Sequence, residues 1–145
     1  MIDRDSIAAL IPHAGNMCLL DEVLSWDDKT ICCRSTRHRC PDNPLRQRER
    51  LGALGGIEFA AQAMAVHGRL AGAISERPHV GFVASLRDVV CRCDRIDQFD
   101  DDLVITTTRL MGDDECVMYS FVITCGAREL IAGRATVVLQ AEMPQ

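Results

Sequence analysis

The chain has 145 residues, a formal net charge of −5 and a hydrophobic fraction of 48%. That length is typical of one domain with a single core. The acidic surplus argues against a nucleic-acid-binding protein, which carries a basic stripe. The absence of an apolar run of about 18 residues argues against a membrane span, and the acidic N-terminus argues against a signal peptide. We therefore expect one domain over residues 1–145, in a cytoplasmic protein without membrane contact.

The first half of the chain predicts short elements separated by turns. These are a helix, two strands and a loop, over residues 3–10, 17–26, 30–36 and 37–50. Asp3 or Asp5 is the candidate helix N-cap, and Pro12 ends that segment. Asp27–Lys29 forms a turn, so the two strands are expected to make a hairpin. The loop contains two prolines and five arginines.

Residues 51–75 predict a long helix. Apart from Glu58, Gln62, His67 and Arg69, its residues are small or apolar on nearly every side. A helix of this kind is buried rather than laid on a surface. Its charged side chains exclude a membrane span.

Four further strands are predicted over residues 79–93, 102–112, 116–126 and 129–140. The short turns between the last three predict a meander. A buried helix needs apolar cover, and one antiparallel sheet supplies most of it. We therefore predict an α+β hot-dog fold, in which a curled antiparallel sheet of about six strands wraps around one long central helix. The exposed edge of such a sheet predicts pairing across a dimer.

The eight cysteines do not form a recognisable metal site. The one cluster, Cys32, Cys33, His38 and Cys40, has no common zinc spacing, and no Cys-x-x-Cys pair occurs. We expect reduced thiols that act as small buried side chains, with no metal ion.

Four segments, in order along the chain, resemble one family. IPHAGNMCLLDEV (11–23) resembles the opening of the bacterial 3-hydroxyacyl-carrier-protein dehydratases, and GIEFAAQAMAVHG (56–68) resembles the start of their central helix. GFVASLRDV (81–89) and GRATVVL (133–139) resemble their third and last strands. The IPH-x-G-x-M-x-LLD opening is most similar to the dehydratase-like proteins of aryl-polyene and related polyketide clusters.

This resemblance implies loss of water from a 3-hydroxyacyl thioester on an acyl carrier protein, giving a trans-2-enoyl product without any cofactor. A histidine removes the proton beside the thioester carbonyl, and a carboxylate on the central helix protonates the leaving hydroxyl. The two residues come from different subunits. The implied partners are an acyl carrier protein with a phosphopantetheine-linked acyl chain, and either a second copy or a paralogous hot-dog subunit.

Glu58 is the candidate general acid. It lies in the first turns of a nearly apolar helix, where burial would raise a carboxyl pKa towards neutrality. Gln62, one turn later, is expected to orient it by a hydrogen bond. Gly55 and Gly56 at the helix start suggest either a close approach by substrate, with backbone N–H groups stabilising negative charge, or tight helix–sheet packing.

Two histidines are candidates for the base. The segment HRCPDNPL (38–45) resembles the family's His-x-Pro-Gly loop but has an extra residue before the proline and no glycine, so His38 is one candidate. His13, in the IPH motif, is the other. His67 and His79 are expected to be packing or surface residues.

Two further groups are candidates for substrate contacts. Five arginines flank the proposed site and either attract an acidic carrier protein or form a solvated loop: Arg37, Arg39, Arg46, Arg48 and Arg50. Four apolar side chains either line an acyl tunnel or belong to the core: Phe59, Met64, Phe82 and Leu86.

Two other functions compete with dehydration. A hot-dog thioesterase would use Glu58 to activate water and would not require the histidine. A non-catalytic subunit would stabilise an active paralogue in a heterodimer, which the imperfect histidine loop favours.

Overall fold

The computed structural model describes residues 2–11, 17–48, 50–71, 79–113 and 115–141. In chain order its helices and strands are β1 (Ile2–Asp3), α1 (Arg4–Leu10), β2 (Glu22–Trp26), β3 (Thr30–Ser35), α2 (Gly56–Ala71), β4 (His79–Cys91), β5 (Leu103–Gly112), β6 (Cys116–Cys125) and β7 (Arg128–Ala141). Single 3-10 turns occur at Arg37–Arg39 and Ala53–Gly55. Among the described helices none is long and apolar enough to cross a membrane.

One antiparallel sheet contains all seven strands, in the order β1-β2-β3-β5-β6-β7-β4. The predicted hairpin and the predicted meander are both present, as β2–β3 and β5–β6–β7. The sheet packs against α2, which confirms the predicted hot-dog architecture. The predicted number of about six strands is exceeded because β1, only two residues long, adds to β2 at one edge.

Alternating burial along the strands divides the sheet into an inner and an outer face. On β6 every second side chain is buried, and the inner positions include Tyr119, Phe121 and Ile123. These pack in one core with Phe59, Ala60 and other buried residues of α2. The alternation of apolar residues that predicted the strands thus matches the alternation of buried side chains in the structure.

Close packing determines where α2 meets the sheet. A Cβ atom on Gly56 would lie 3.1 Å from Ile123 Cδ1 and 3.3 Å from Ile131 Cγ2. The helix therefore touches the inner face at its first residue. The predicted helix start at residue 51 is wrong by five residues, because Gly52 is extended and the 3-10 turn precedes α2.

The sequence predicted that α2 is buried on nearly all sides. The single chain instead leaves one side of α2 open. Glu58 and Arg69 are exposed on the side turned away from the sheet. The edge strand β4 is also open, with Leu86 40% and Val90 45% exposed. Exposed apolar side chains on an edge strand are suited to contact with a second subunit.

Candidate functional site

The chain enters α2 through a segment fastened to the loop before β5. The N–H of Ala53 donates to the Asp94 carbonyl at 3.0 Å, and the N–H of Ile96 donates to the Leu51 carbonyl at 2.9 Å. Leu51 is buried, which anchors this entry in the core. Leu54, three residues later, is 65% exposed. The N-terminal end of α2 is therefore rigidly held but open to solvent.

An ion-pair cluster holds the same loop in place. The Asp97 carboxylate accepts two hydrogen bonds from Arg95, at 2.8 and 2.6 Å, and lies 3.7 Å from an Arg46 nitrogen. Its side chain is only 3% exposed. The hydrogen bonds from Arg95 are the main cause that lowers the pKa of Asp97 to about 2. This carboxylate stays ionised and structural across the working pH range.

The glycines at the start of α2 serve packing in the single chain. A Cβ on Gly55 would come within 2.8 Å of Leu51 Cδ1, and Gly56 lies against the sheet. The N–H of Gly55 donates to the Gly52 carbonyl, and that of Gly56 donates within the 3-10 turn. Both N–H groups are bonded within the chain, which favours the packing alternative for these two glycines over the stabilisation of negative charge on substrate.

Glu58 lies in the first turn of α2 and is exposed. The low-dielectric surroundings predicted for its carboxylate are therefore not supplied by its own chain. Desolvation here requires a covering surface from another subunit or from substrate.

Gln62 has a different role from the one predicted. Its Oε1 accepts the N–H of Leu19 at 2.8 Å, and its Nε2 donates to the Met17 carbonyl at 2.8 Å. The predicted hydrogen bond to Glu58 is thus wrong, since main-chain groups occupy both ends of the buried carboxamide. Gln62 instead fastens the segment that follows the IPH motif to α2, one turn after Glu58.

His38 is 0% exposed and lies in the 3-10 turn Arg37–Arg39. Its Nε2 is 3.0 Å from the Phe99 carbonyl, which makes Nε2 the protonated nitrogen. Nδ1 is buried and has no hydrogen-bond partner among the described residues. Burial lowers the pKa of His38, so the ring is neutral at pH 7. It has the lone pair of a base but no access to solvent.

The Asp21 carboxylate holds the turn that carries His38. Asp21 accepts hydrogen bonds from the Thr36 N–H at 2.6 Å and the Thr36 hydroxyl at 2.9 Å, and pairs with Arg37 at 3.2 Å. Burial opposes ionisation of Asp21, but these donors lower its pKa overall. The Asp of the LLD motif is thus a structural anchor that sequence reasoning missed.

Three of the five arginines that flank the proposed site are paired with carboxylates of the chain itself. Arg37 pairs with Asp21, Arg39 with Asp102 at 3.0 Å, and Arg46 with Asp97. Arg48 and Arg50 are exposed. Acidic residues distant in sequence supply the partners, so local composition had no signal for them.

The other histidines differ in their surroundings. His13 lies outside the described residues, and of His79 only the backbone in β4 is described. His67 is a buried packing residue, as expected. Its Nδ1 lies 2.8 Å from the Tyr119 hydroxyl and its Nε2 lies 2.9 Å from the Asp27 carbonyl.

The four candidate tunnel residues fall into two groups. Phe59 and Met64 are buried and pack in the core, which is the second of the two roles that the sequence left open for them. Leu86 lies on β4 opposite the inward-facing Ala135 and is partly exposed. Phe82 lies on the same strand, opposite Val138, and its side chain is outside the described set.

The cysteine cluster does not converge. Cys33 faces the core while Cys32 faces outward, and burial raises the pKa of Cys33 to about 12. Within the described ranges no group of three or more His, Cys, Asp or Glu side chains is placed to hold a metal ion.

Comparison with known proteins supports the same fold and identifies the family. The ApeP-like family model, described as ApeP dehydratase, matches residues 5–145. The ApeI:P dehydratase heterocomplex from Xenorhabdus doucetiae superposes with a TM-score of 0.80 and 23% identity, over 92% of this chain and 90% of that chain. A search of curated proteins gives no significant match.

Two thioesterase structures share the fold at lower similarity. A mutant thioesterase of Pseudomonas aeruginosa gives a TM-score of 0.67 at 9% identity, over 97% of this chain and 95% of its own. A hypothetical thioesterase of Streptococcus pneumoniae, solved with coenzyme A, gives 0.61 at 11% identity, over 85% and 88%. At such identities the likeness concerns the fold alone. The family match covers nearly the whole sequence, and the chain belongs to the ApeP-like dehydratase family.

Proposed function

We propose that this chain is a subunit of a cytoplasmic dimeric dehydratase. It acts on 3-hydroxyacyl thioesters of an acyl carrier protein and forms trans-2-enoyl thioesters, in aryl-polyene, related polyketide or fatty-acid biosynthesis. One observation carries the proposal within its family: a carboxylate, Glu58, lies at the open, rigidly fastened end of a largely apolar central helix. The family membership supplies the reaction class.

The reaction needs a base and an acid on either side of the acyl chain. A histidine nitrogen takes the proton next to the thioester carbonyl, and that electron pair forms the double bond. The bond from the third carbon to oxygen breaks, and Glu58 donates its proton so that the hydroxyl leaves as water. General acid–base catalysis of this kind contributes about 10²–10⁴-fold.

We assign the base to His13 rather than to His38. His38 is sealed between its own turn and the Phe99 carbonyl, and a substrate could reach it only if this turn moved. The segment after His13 is held to α2, because Gln62 binds Met17 and Leu19 one turn beyond Glu58. The flank of the IPH motif thus lies beside the helix that carries the acid.

A second hot-dog subunit completes the site in this proposal. Glu58 is exposed in the single chain, and burial by a covering surface would favour the protonated carboxyl group that a general acid needs. Leu86 on β4 then borders the acyl chain where the subunits meet. No cofactor takes part.

The test uses the chain together with its paralogous subunit and a 3-hydroxyacyl carrier protein. Glu58→Gln and His13→Asn are each expected to lower dehydration at least 100-fold, while His38→Asn lowers stability more than turnover of the folded complex. Glu115→Gln, a matched change in an exposed turn, is expected to have no effect. Full activity of both Glu58→Gln and His13→Asn would contradict the proposal.

A supporting, non-catalytic subunit is the second candidate function. The sealed His38 favours it, since that loop then keeps only a structural role. Under this alternative the complex keeps its activity within twofold after Glu58→Gln, and the isolated chain is inactive. Release of free thiol from the thioester, dependent on Glu58 and not on His13, would instead identify a thioesterase.

A further inference from the structure

The 3-10 turn that carries His38 is fastened to residues 99–102, which we call the acidic loop because it contains three aspartates in a row. The His38 Nε2–H donates to the Phe99 carbonyl at 3.0 Å, and Arg39 pairs with Asp102 at 3.0 Å. The imidazole is 0% exposed in this arrangement, although Arg39 beside it is exposed. A buried histidine thus lies where two segments near the surface meet.

One ring nitrogen of His38 has no hydrogen bond. Nδ1 is buried and has no partner among the residues that the structure describes. Buried polar atoms are normally paired, so an unpaired one needs an explanation. The neutral ring leaves only an unpaired acceptor at this position. The protonated ring would leave a charged N–H group without an acceptor, which costs more free energy.

His67, the other buried histidine of the described residues, differs in this respect. Its Nε2 lies 2.9 Å from the Asp27 carbonyl, and its Nδ1 lies 2.8 Å from the Tyr119 hydroxyl. A hydroxyl can accept a hydrogen bond as well as donate one, so both N–H groups of a protonated His67 would have acceptors. The unpaired position is therefore particular to His38 and to the contact that buries it.

The charges around His38 do not compensate for its burial. Burial lowers the pKa of His38 and Arg39 lowers it further, whereas the Phe99 and Asp101 carbonyls and the Asp102 charge act in the opposite direction without cancelling the effect. Several charged or titratable groups surround the ring, on its own turn, before β2, on β3, on the acidic loop and on β6: Arg37, Arg39, Asp21, Arg34, Asp100, Asp101, Asp102 and Cys125. Both Asp21 and Asp102 already pair with arginines.

We propose that the contact between the His38 turn and the acidic loop is a latch that acid releases: protonation of His38 detaches the turn and exposes the imidazole. In the open form the ring lies in water and has an ordinary pKa of about 6.5. The open form therefore binds a proton that the closed form rejects, and the closed form loses its advantage as the pH falls below this value. Between pH 7.5 and pH 5.5 the equilibrium constant for opening should rise about tenfold.

This latch keeps a second imidazole, besides His13, away from substrate at neutral pH. It goes beyond the proposed function and does not depend on it, since the contact exists in the single chain whether or not the chain catalyses dehydration.

The test follows amide hydrogen exchange of the full chain at pH 7.5 and pH 5.5, with mass spectrometry of its peptides and correction for the intrinsic exchange rates. The N–H groups of Arg39, Cys40 and Asn43 are hydrogen-bonded within or next to the turn, so their protection reports its opening. This protection is expected to fall about tenfold at the lower pH. At both pH values it should stay below the protection of β6, because the turn opens without the sheet.

The decisive variant is His38→Gln, whose side-chain amide can still donate to the Phe99 carbonyl but does not titrate. Its turn should keep the same protection at both pH values. His67→Gln is the matched control, because it removes the other buried histidine and should leave the tenfold change in the turn. If His38→Gln does not fold, His38→Asn replaces it, since it also lacks a titrating ring.

Three results would overturn the latch. The first is equal protection of the wild-type turn at the two pH values. The second is an unchanged acid effect in the variant without a titrating residue at position 38. The third is equal protection of the turn and β6, which would mean that the turn opens only when the whole chain unfolds. None of these measurements depends on dehydration activity.

Discussion

Two polar side chains near the two ends of α2, His67 and Glu58, differ in how completely the chain encloses them, and we call the surroundings of His67 the sealed end and those of Glu58 the open end. At the C-terminal end, His67 and Tyr119 are buried, and hydrogen bonds join the ring of His67 to β6 and to the turn between β2 and β3. At the N-terminal end, Leu54 and Glu58 are exposed although the backbone beneath them is fastened at Leu51 and Ala53.

This difference separates stability from function along one helix. Buried polar groups with all their partners rigidify a core, and the sealed end therefore gives the helix a fixed position. The open end keeps that fixed backbone but leaves its side chains to be covered by something else. The comparison predicts that changes at the sealed end affect folding, whereas changes at the open end affect association and catalysis.

The largest effect is expected at the sealed end. His67→Phe keeps the ring volume but leaves the Tyr119 hydroxyl and the Asp27 carbonyl without their buried partner, which should lower the free energy of unfolding by about 3 kcal/mol. Tyr119→Phe removes only one of the two bonds and should cost about half as much. Urea denaturation measures both, and an unchanged midpoint for His67→Phe would show that this end is not sealed as described.

An intermediate and pH-dependent effect is expected where charge fastens the open end. The pKa of Asp97 is about 2 in the folded chain and near 3.8 when unfolded, so between these values only the unfolded chain binds the proton. Its contribution of about 2 kcal/mol is present at pH 7 and falls as the pH drops below 4. Asp97→Asn should therefore destabilise the chain at pH 7, and about half of this difference should be gone at pH 3.

The matched control for Asp97 is Asp28→Asn, in the exposed turn between β2 and β3. Denaturation at the two pH values compares each variant with the wild-type chain. Equal destabilisation by Asp97→Asn at pH 7 and pH 3 would exclude the charge-dependent fastening.

The smallest effect on stability is expected at Leu54. Because it is largely exposed, Leu54→Ser should change the free energy of unfolding of the isolated chain by less than about 0.5 kcal/mol. If a second subunit covers this end, the same variant should weaken dimer association about tenfold. Leu51→Ser, three residues earlier and fully buried, should instead destabilise the isolated chain. Unaltered dimer affinity for Leu54→Ser would place the subunit contact elsewhere.

Local patterns predicted most of the fold. The period-two alternation of β6 and the small apolar residues of α2 are read directly from sequence because they report one face of one element. The start of α2 was missed because Gly52 and the 3-10 turn depend on contacts with the loop around Asp94 and Ile96.

The candidate site was predicted less well, for a related physical reason. The partners of Gln62, Arg39 and His38 lie 43, 63 and 61 residues away in sequence. No periodicity reports such pairings, so the sequence identified polar residues near the helix without indicating which ones the fold had already satisfied. Glu58 is exposed in the single chain. The burial that the sequence predicted for it would have to come from a second subunit or from substrate.

The two hydrogen bonds by which Gln62 fastens the segment after the IPH motif also determine which substitutions that segment can accept. Gln62 binds the backbone of Met17 and Leu19, so the exposed side chain of Met17 can be exchanged without breaking these bonds, whereas proline at position 19 would remove the donor. Glutamate at position 62 would remove the donor to the Met17 carbonyl. The path of this segment beside the helix thus stays constant while its exposed position 17 can vary in evolution or engineering.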